Sequence, residues 1–367
     1  MPSRVLLWAC AVVLILFTMK GGILQYVRSG KAPVKSTPSF VQEEPAPTET
    51  ISQPVVLMPS VAIVPSSTQP ITLRFVGDVM LDRNVKIRSE KAGSRAYPFD
   101  MIRPWLKDAD YTIANLEGPV TDRRRAPEKS IDFLFDPVVL PVLQEAGFDA
   151  FSQANNHALD QGAPGYADSI RRVREAGFLT FGHQVEDGTI ALATTTVRGT
   201  RFAFLGWNTT DNPLDRTSAR EAIKTARREA DQVIAYLHWG PEYRNTPHQN
   251  EVNTAHWLID EGVDVVIGGH PHWTQGVSAY KGKPILWSLG NFVFDQDFSL
   301  ETQQGLGVTL AYTSSTLSVS LDPIRIPNSQ PTLEQGEAKK ARLRDLADVS
   351  VPLLREAILA GVIEFAL

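Results

Sequence analysis

The stretch VDVVIGGHPH, residues 263–272, decides how this chain is read. Its first half is apolar and β-branched apart from Asp264, as a strand buried on both faces should be. Two glycines end the run and let the backbone turn closely. His270 and His272 follow in one loop, two apart, and so can face one site. Just upstream, NEVNTAHWLIDEG (250–262) has apolar positions at helical spacing and stops at a glycine. The unit is helix, buried strand, polar loop.

Working outward, the same unit recurs. ITLRFVGD (71–78), YTIANLEG (111–118), FDAFSQANNH (148–157), RFAFLGW (201–207), DQVIAYLHWG (231–240) and PILWSLGNF (284–292) read as further buried strands. FDMIRPWLKDA (99–109), PVVLPVLQEAGF (137–148) and GYADSIRRVREAGF (165–178) fit the 3.6-residue helical period. Strands alternating with helices predict an α/β domain. LGVTLAYTSSTLSVSLDPIRI (306–326) alternates as a hairpin would, and residues 332–361 read as one or two helices packed on the domain's edge. No internal repeat is present.

The termini differ in texture. Residues 5–19, VLLWACAVVLILFTM, carry no charge, and the following GGILQYV extends them to spanning length, broken only by Lys20. A cleaved signal peptide and an uncleaved anchor both fit. The lack of an A-x-A site after the apolar core favours the anchor. Lys20, Arg28, Lys31 and Lys35 follow the span and only Arg4 precedes it, which opposes export by the positive-inside count. A short N-terminus usually stays inside regardless. The expectation is a single N-terminal pass at the cell membrane, with the main domain outside the cytoplasm. Residues 32–70 hold eight prolines with many Ser and Thr, and read as an extended linker. The expected organisation is an anchor over 1–27, a linker over 28–70, a main domain over 71–330 and a helical extension over 331–367.

Composition excludes some classes. The net charge of −5 and the absence of a long basic block argue against nucleic acid as a partner. One cysteine rules out an intramolecular disulfide and a cysteine-based zinc knuckle.

Chemistry-bearing residues gather at strand ends. Asp78, Glu117, Asn156, His157, His238 and His270 each close an apolar run, and the ligand crevice of an α/β sheet lies beyond the carboxyl ends of its strands. Neutral imidazole with carboxylate and amide oxygen suits Mn, Zn, Fe or a similar divalent ion. Each piece alone also reads as an ordinary turn or core residue; the order and placement of all of them is what argues for a metal site.

VGDVMLDR (76–83), YPFD (97–100), ANLEGPVT (114–121), NNHALDQG (155–162), HWGPEY (238–243), GGHPHWTQG (268–276) and SLGNFVFDQ (288–296) together resemble the bacterial capsule synthesis proteins of the CapA or PgsA type. That family lies within the calcineurin-like metallophosphoesterases. The resemblance covers roughly residues 71–300. It implies a four-layer α-β-β-α sandwich, a divalent metal cofactor, and the membrane, other capsule synthesis proteins and an anionic polymer, poly-γ-glutamate, as partners. It also implies roles. Asp78 and His272 would serve the first metal, with Glu117 bridging. Asn156, His238 and His270 would serve the second. His157 would be catalytic, facing the substrate as a general acid, with Asp160 orienting its imidazole or else capping the next helix. Arg83, Trp239, Glu242 and Asn291 are candidate substrate-binding residues, although Trp239 also reads as core and Arg83 as a loop arginine. One departure stands out. The superfamily has histidine two residues after the first aspartate, and here that residue is Met80, whose thioether is a poor ligand for a hard ion. One or two ions per chain are therefore expected. A metal-dependent phosphoester hydrolase, a non-catalytic metal-binding component of a capsule polymer machine and a degenerate scaffold without metal are all open readings.

Overall fold

Strand β1 (Ile71–Val79) lies at the centre of the first of two sheets. The structure, a computed structural model, describes residues 69–182 and 192–367. The expected anchor over 1–27 and nearly all of the linker over 28–70 lie outside the described residues. Among the described residues no helix is long and apolar enough to cross a membrane.

In the first sheet β1 pairs in parallel with β2 (Tyr111–Leu116), which leads on to β3 (Ala150–Ser152) and β4 (Leu179–Phe181). On its other side β1 pairs antiparallel with β12 (Gln304–Tyr312), and its end pairs with the short β11 (Asn291–Val293). β12 continues into β13 (Thr316–Arg325), which carries β14 (Thr332–Leu333) and β15 (Val362–Ala366). The second sheet runs β5 (Leu192–Val197), β6 (Thr200–Asn208), β7 (Gln232–His238), β8 (Val265–Gly269), β10 (Lys283–Leu286) and β9 (Val277–Tyr280).

Alternation along the strands builds the layers. Leu73, Phe75 and Ile113 of the first sheet meet Phe204, Ile234, Tyr236 and Ile267 of the second in one apolar cluster between the sheets. The opposite faces take helices. Val76, Ala114 and Phe151 pack with Val85 of α1 (Arg83–Lys91), Leu106 of α2 (Arg103–Leu106), Leu140 and Leu143 of α3 (Val139–Ala146) and Val173 of α4 (Gly162–Glu175). Ala203, Leu205 and Val233 pack with Ile223 of α5 (Arg216–Glu229) and Leu258 of α6 (Gln249–Glu261). The order is helices, sheet, sheet, helices, the arrangement the resemblance implied.

The C-terminal segment does more than sit on the edge. Leu343, Leu346 and Ala347 of α7 (Gly336–Asp348) and Ile358 of α8 (Arg355–Ala360) enter the cluster between the sheets, and β15 adds an unforeseen strand to β13.

Two expectations need correction. The run 284–292 is not one strand. It ends in the second sheet at Leu286, turns through Ser288 and Gly290 (φ 65°), and re-forms in the first sheet as β11. The helix expected over 99–109 is one turn over Tyr97–Phe99 and the short α2, because Pro104 cannot continue a helix from an earlier turn but is tolerated in the first turn of a new one.

The chain enters at the far end of β1. Arg198 donates to the backbone carbonyls of Pro70 (2.9 Å) and Gln69 (3.2 Å), fixing the entry there.

Candidate metal centre

All the parallel strands of both sheets end on one side, and this side collects the polar residues. Asp78 lies near the end of β1, directly across from Asn115 in β2 and Asn291 in β11. His238 ends β7 and faces Gly269 of β8. Glycine is required at the close approaches. A Cβ on Gly77 would stand 1.9 Å from the carbonyl oxygen of Gly290, and one on Gly268 would stand 2.0 Å from that of Trp287.

Asp78, Glu117 and His238 each offer a ligand atom within 4.8 Å of one another, and all three are fully buried. Glu242, His270 and His272 form a second such group. The two groups adjoin. Oδ2 of Asp78 is 3.5 Å from Nδ1 of His272, and Oε1 of Glu117 is 3.9 Å from Nε2 of His272. Nε2 of His238 stands 2.9 Å from Oδ1 of Asn156 and 3.1 Å from Nδ1 of His270. Metal–ligand bonds of about 2.1 Å place neighbouring ligand atoms roughly 3 Å apart, so this spacing suits a shared ion.

The electrostatics fit the same reading. Neither oxygen of Glu117 receives a hydrogen bond among the described residues. Burial, and then the charges of Asp78 and Glu242, hold its carboxyl well above the usual carboxylate range. A fully buried carboxylate without a donor is costly, and a cation is its natural partner. Burial also keeps two of the imidazoles neutral. His238 is pushed well below its ordinary value, and His270 to about 3, with neighbouring histidines adding to the effect. Neutral imidazole is the form that ligates a metal. The donor set therefore fits a divalent ion. The ligand loop is also strained, with His270 at φ 91° and His272 at φ 57°.

A shell of amides holds these groups, and sequence reading missed its centre, Asn115. Its Nδ2 donates to Oδ1 of Asp78 (2.8 Å) and faces Nδ1 of His238 (3.3 Å). Asn155 in turn donates to Oδ1 of Asn115 (3.0 Å) and to the carbonyl of Leu116 (2.9 Å). The available signal was an amide inside an apolar strand, two residues before Glu117.

The other candidates divide. His157 and Asp160 pair at 2.6 Å beside the cluster. The carboxylate of Asp160 faces His157 and accepts from the backbone N–H of Phe133, so it orients the imidazole. Asn291 is buried at the end of the sheet. Its Oδ1 lies 2.9 Å from Nδ1 of His272, which fixes that ring and leaves Nε2 free. Arg83 is ion-paired with Asp295 (Nη2 to Oδ1 2.9 Å, Nε to Oδ2 3.1 Å) and starts α1. Trp239 is 1% exposed, donates to the carbonyl of Trp287 and stacks on that ring in the outer core, which is its core reading. Met80 is fully buried on the helix side of the first sheet, where Sδ accepts from the N–H of Asp82 (3.1 Å).

Residues 72–296 match the family described as "Bacterial capsule synthesis protein PGA_cap". The chain belongs to this bacterial capsule synthesis family. Two relatives extend the match beyond that segment. The capsule biosynthesis protein CapA of Bacillus anthracis is 30% identical over 286 residues, covering 72% of this chain and 69% of the relative. The PGA biosynthesis protein CapA of Bacillus subtilis is 28% identical over 293 residues, covering 75% and 77%. Among solved structures, a phosphatase from Mycoplasma pneumoniae aligns over 72% of this capsule-family chain and 91% of its own, at 13% identity and a TM-score of 0.41.

Proposed function

We propose that this chain is a CapA-like protein of capsule or poly-γ-glutamate biosynthesis, and that it carries a metal-dependent centre of the phosphoesterase type. Family membership supports the first part. The observation that carries the second is the buried Glu117, which no donor among the described residues reaches, amid the converging side chains of Asp78, Asn156, His238, His270 and His272. In this reading those six residues hold divalent ions. When bound, the ions supply Lewis acidity toward a phosphoryl oxygen and a nucleophile at neutral pH.

The chain's own residues do the rest. Asn115, Asn155 and Asn291 hold the ligand side chains in place. Asp160 holds a proton on Nδ1 of His157, and the ring of Phe133, 4.1 Å from the imidazole, fixes its plane. His157 can then deliver a proton from Nε2 to a leaving oxygen as a general acid. The segment over 1–27 anchors the chain, and the centre works outside the cytoplasm on or beside the anionic polymer and the other capsule proteins.

The full-length protein, purified in detergent and loaded with Mn²⁺, should hydrolyse a phosphodiester with an alkyl leaving group, and His157→Ala should do so far more slowly. Metal bound without hydrolysis in either form would favour the non-catalytic reading. No metal bound would remove the centre altogether.

A further inference from the structure

The departure at Met80 leaves one side of the proposed centre short of a ligand. The structure takes Met80 out of contention, since its side chain is packed on the helix side of the sheet and its sulfur is engaged by Asp82. From the opposite sheet, the loop after β7 brings a carboxylate to the same place. Glu242 comes within 4.8 Å of ligand atoms of both His270 and His272.

This loop is held where it is. Tyr243 takes a left-handed conformation (φ 59°), which costs a non-glycine residue about 1–3 kcal/mol when uncompensated. Three contacts compensate. Its N–H donates to the carbonyl of Pro271 (2.9 Å), between the two histidines. Its hydroxyl accepts from Gln296 (3.3 Å). Its ring lies 6.1 Å from that of His272 and edge-on to Phe298. Trp239 adds a backbone bond to Gly269 (3.2 Å). Glu242 is therefore clamped over the His270–His272 loop from its neighbouring residues, although its own side chain is exposed.

We propose that Glu242 is a metal ligand that stands in for the histidine this chain lacks at position 80 and joins His272 at the first of two ions. The inference rests on the metal-dependent reading above, with Asn156, His238 and His270 serving the other ion. The exchange has a chemical consequence. An oxygen donor in place of a nitrogen makes the set harder, and three carboxylates now face two divalent ions, which suits Mn²⁺ better than a nitrogen-rich set would.

The test is a titration of the full-length, chelator-stripped protein with Mn²⁺, followed by calorimetry and by the electron paramagnetic resonance of the bound ion. Wild type should bind two ions and show spin coupling between them. Glu242→Ala should keep one ion and weaken the other by about 100-fold or more, and Glu242→Asp should recover part of that loss. Glu242→Gln, which keeps the shape, should resemble the alanine variant. Unfolding temperatures of the stripped proteins should match, because the side chain is exposed. Two ions with unchanged affinity in Glu242→Ala would overturn this assignment and leave the metal-dependent reading standing. One ion in wild type would overturn it as well. No ion in wild type would overturn both.

Discussion

Nδ1 of His157 stands 2.6 Å from Oδ2 of Asp160, and the same carboxylate is 3.0 Å from Nζ of Lys129 through its other oxygen. Lys129 also donates to the backbone carbonyl of Asn156. One lysine thus braces both the partner of the proposed acid and the backbone of a proposed ligand.

From this arrangement, His157→Ala should lower kcat for a phosphodiester by about 10²–10⁴-fold, the range of a positioned general acid. Asp160→Asn should cost less, about 10–100-fold, because the ring remains but its proton is no longer held on Nδ1. KM should change little in either. Steady-state kinetics decide the matter, and a rise in KM at constant kcat would contradict the assigned roles.

Metal binding should be linked to pH through Glu117. Its carboxyl, raised by burial and by Asp78 and Glu242, keeps its proton in the folded metal-free protein to higher pH than in the unfolded chain. That contribution to stability is complete below the unfolded value and is lost as pH rises through the folded one. His270, depressed to about 3, acts oppositely, since stability falls as pH drops from about 6.5 toward 3. His238 and His270, both depressed, have no proton to release near neutrality, whereas the raised Glu117 carboxyl holds its proton to higher pH than a free carboxylate would and must give it up to bind a cation. The rise in unfolding temperature on adding Mn²⁺ should therefore be larger at pH 7.5 than at pH 5.5. Differential scanning fluorimetry at the two pH values would show it, and a gain that shrinks with pH would refute the linkage.

Asn115→Ala should destabilise the metal-free protein. It leaves Oδ1 of Asp78 and one N–H of Asn155 without their partner inside a buried site. At about 1–3 kcal/mol for each of the two groups, a loss of roughly 2–6 kcal/mol is expected in urea unfolding. Mn²⁺ affinity should fall in the same variant, because Asp78 and His238 lose the amide between them.

Gly268→Ala should be among the more damaging small substitutions. Its Cβ would meet the Trp287 carbonyl at 2.0 Å and Nε1 of Trp239 at 2.5 Å, where those two groups bond to each other. A backbone atom cannot step aside as a side chain can, so a cost of about 3 kcal/mol is expected. Urea unfolding measures it.

The C-terminal segment should prove integral to the domain. Ile358 is fully buried among residues of both sheets, and Ile358→Ala should cost about 2–5 kcal/mol. Removing residues 336–367 would uncover Leu317, Val319 and Leu321 of β13, and the truncated chain should accumulate as insoluble protein on expression.

Much of the centre was legible because its residues interrupt apolar runs. Asp78, Glu117, His238 and His270 stand out against valine, isoleucine and leucine, and a polar residue closing a buried strand needs a reason. The rest depends on contacts far apart in the chain. Arg83 looks like a free cation until Asp295 is folded beside it. Trp239 sits next to a ligand but projects into the outer core, because neighbouring strand residues point to opposite faces. The run 284–292 has the composition of one strand, and only the Ser288–Gly290 turn makes it serve two sheets. Glu242 was legible as part of the site but not in its role, since the backbone bond from Tyr243 to Pro271 is what aims its loop.

The entry of the chain beside Arg198 has a directional consequence. β1 starts there at Ile71 and delivers Asp78 seven residues later, so the chain's entry and the clustered polar side chains occupy opposite poles, roughly 20–25 Å apart. A protein held from its N-terminal side presents its working end outward. Anything bound there is reached from the open side and need not pass between the domain and whatever holds it. Leu367 follows β15 and hydrogen-bonds Ser315 near this same entry pole, so a chain held from either terminus would keep the same end outward.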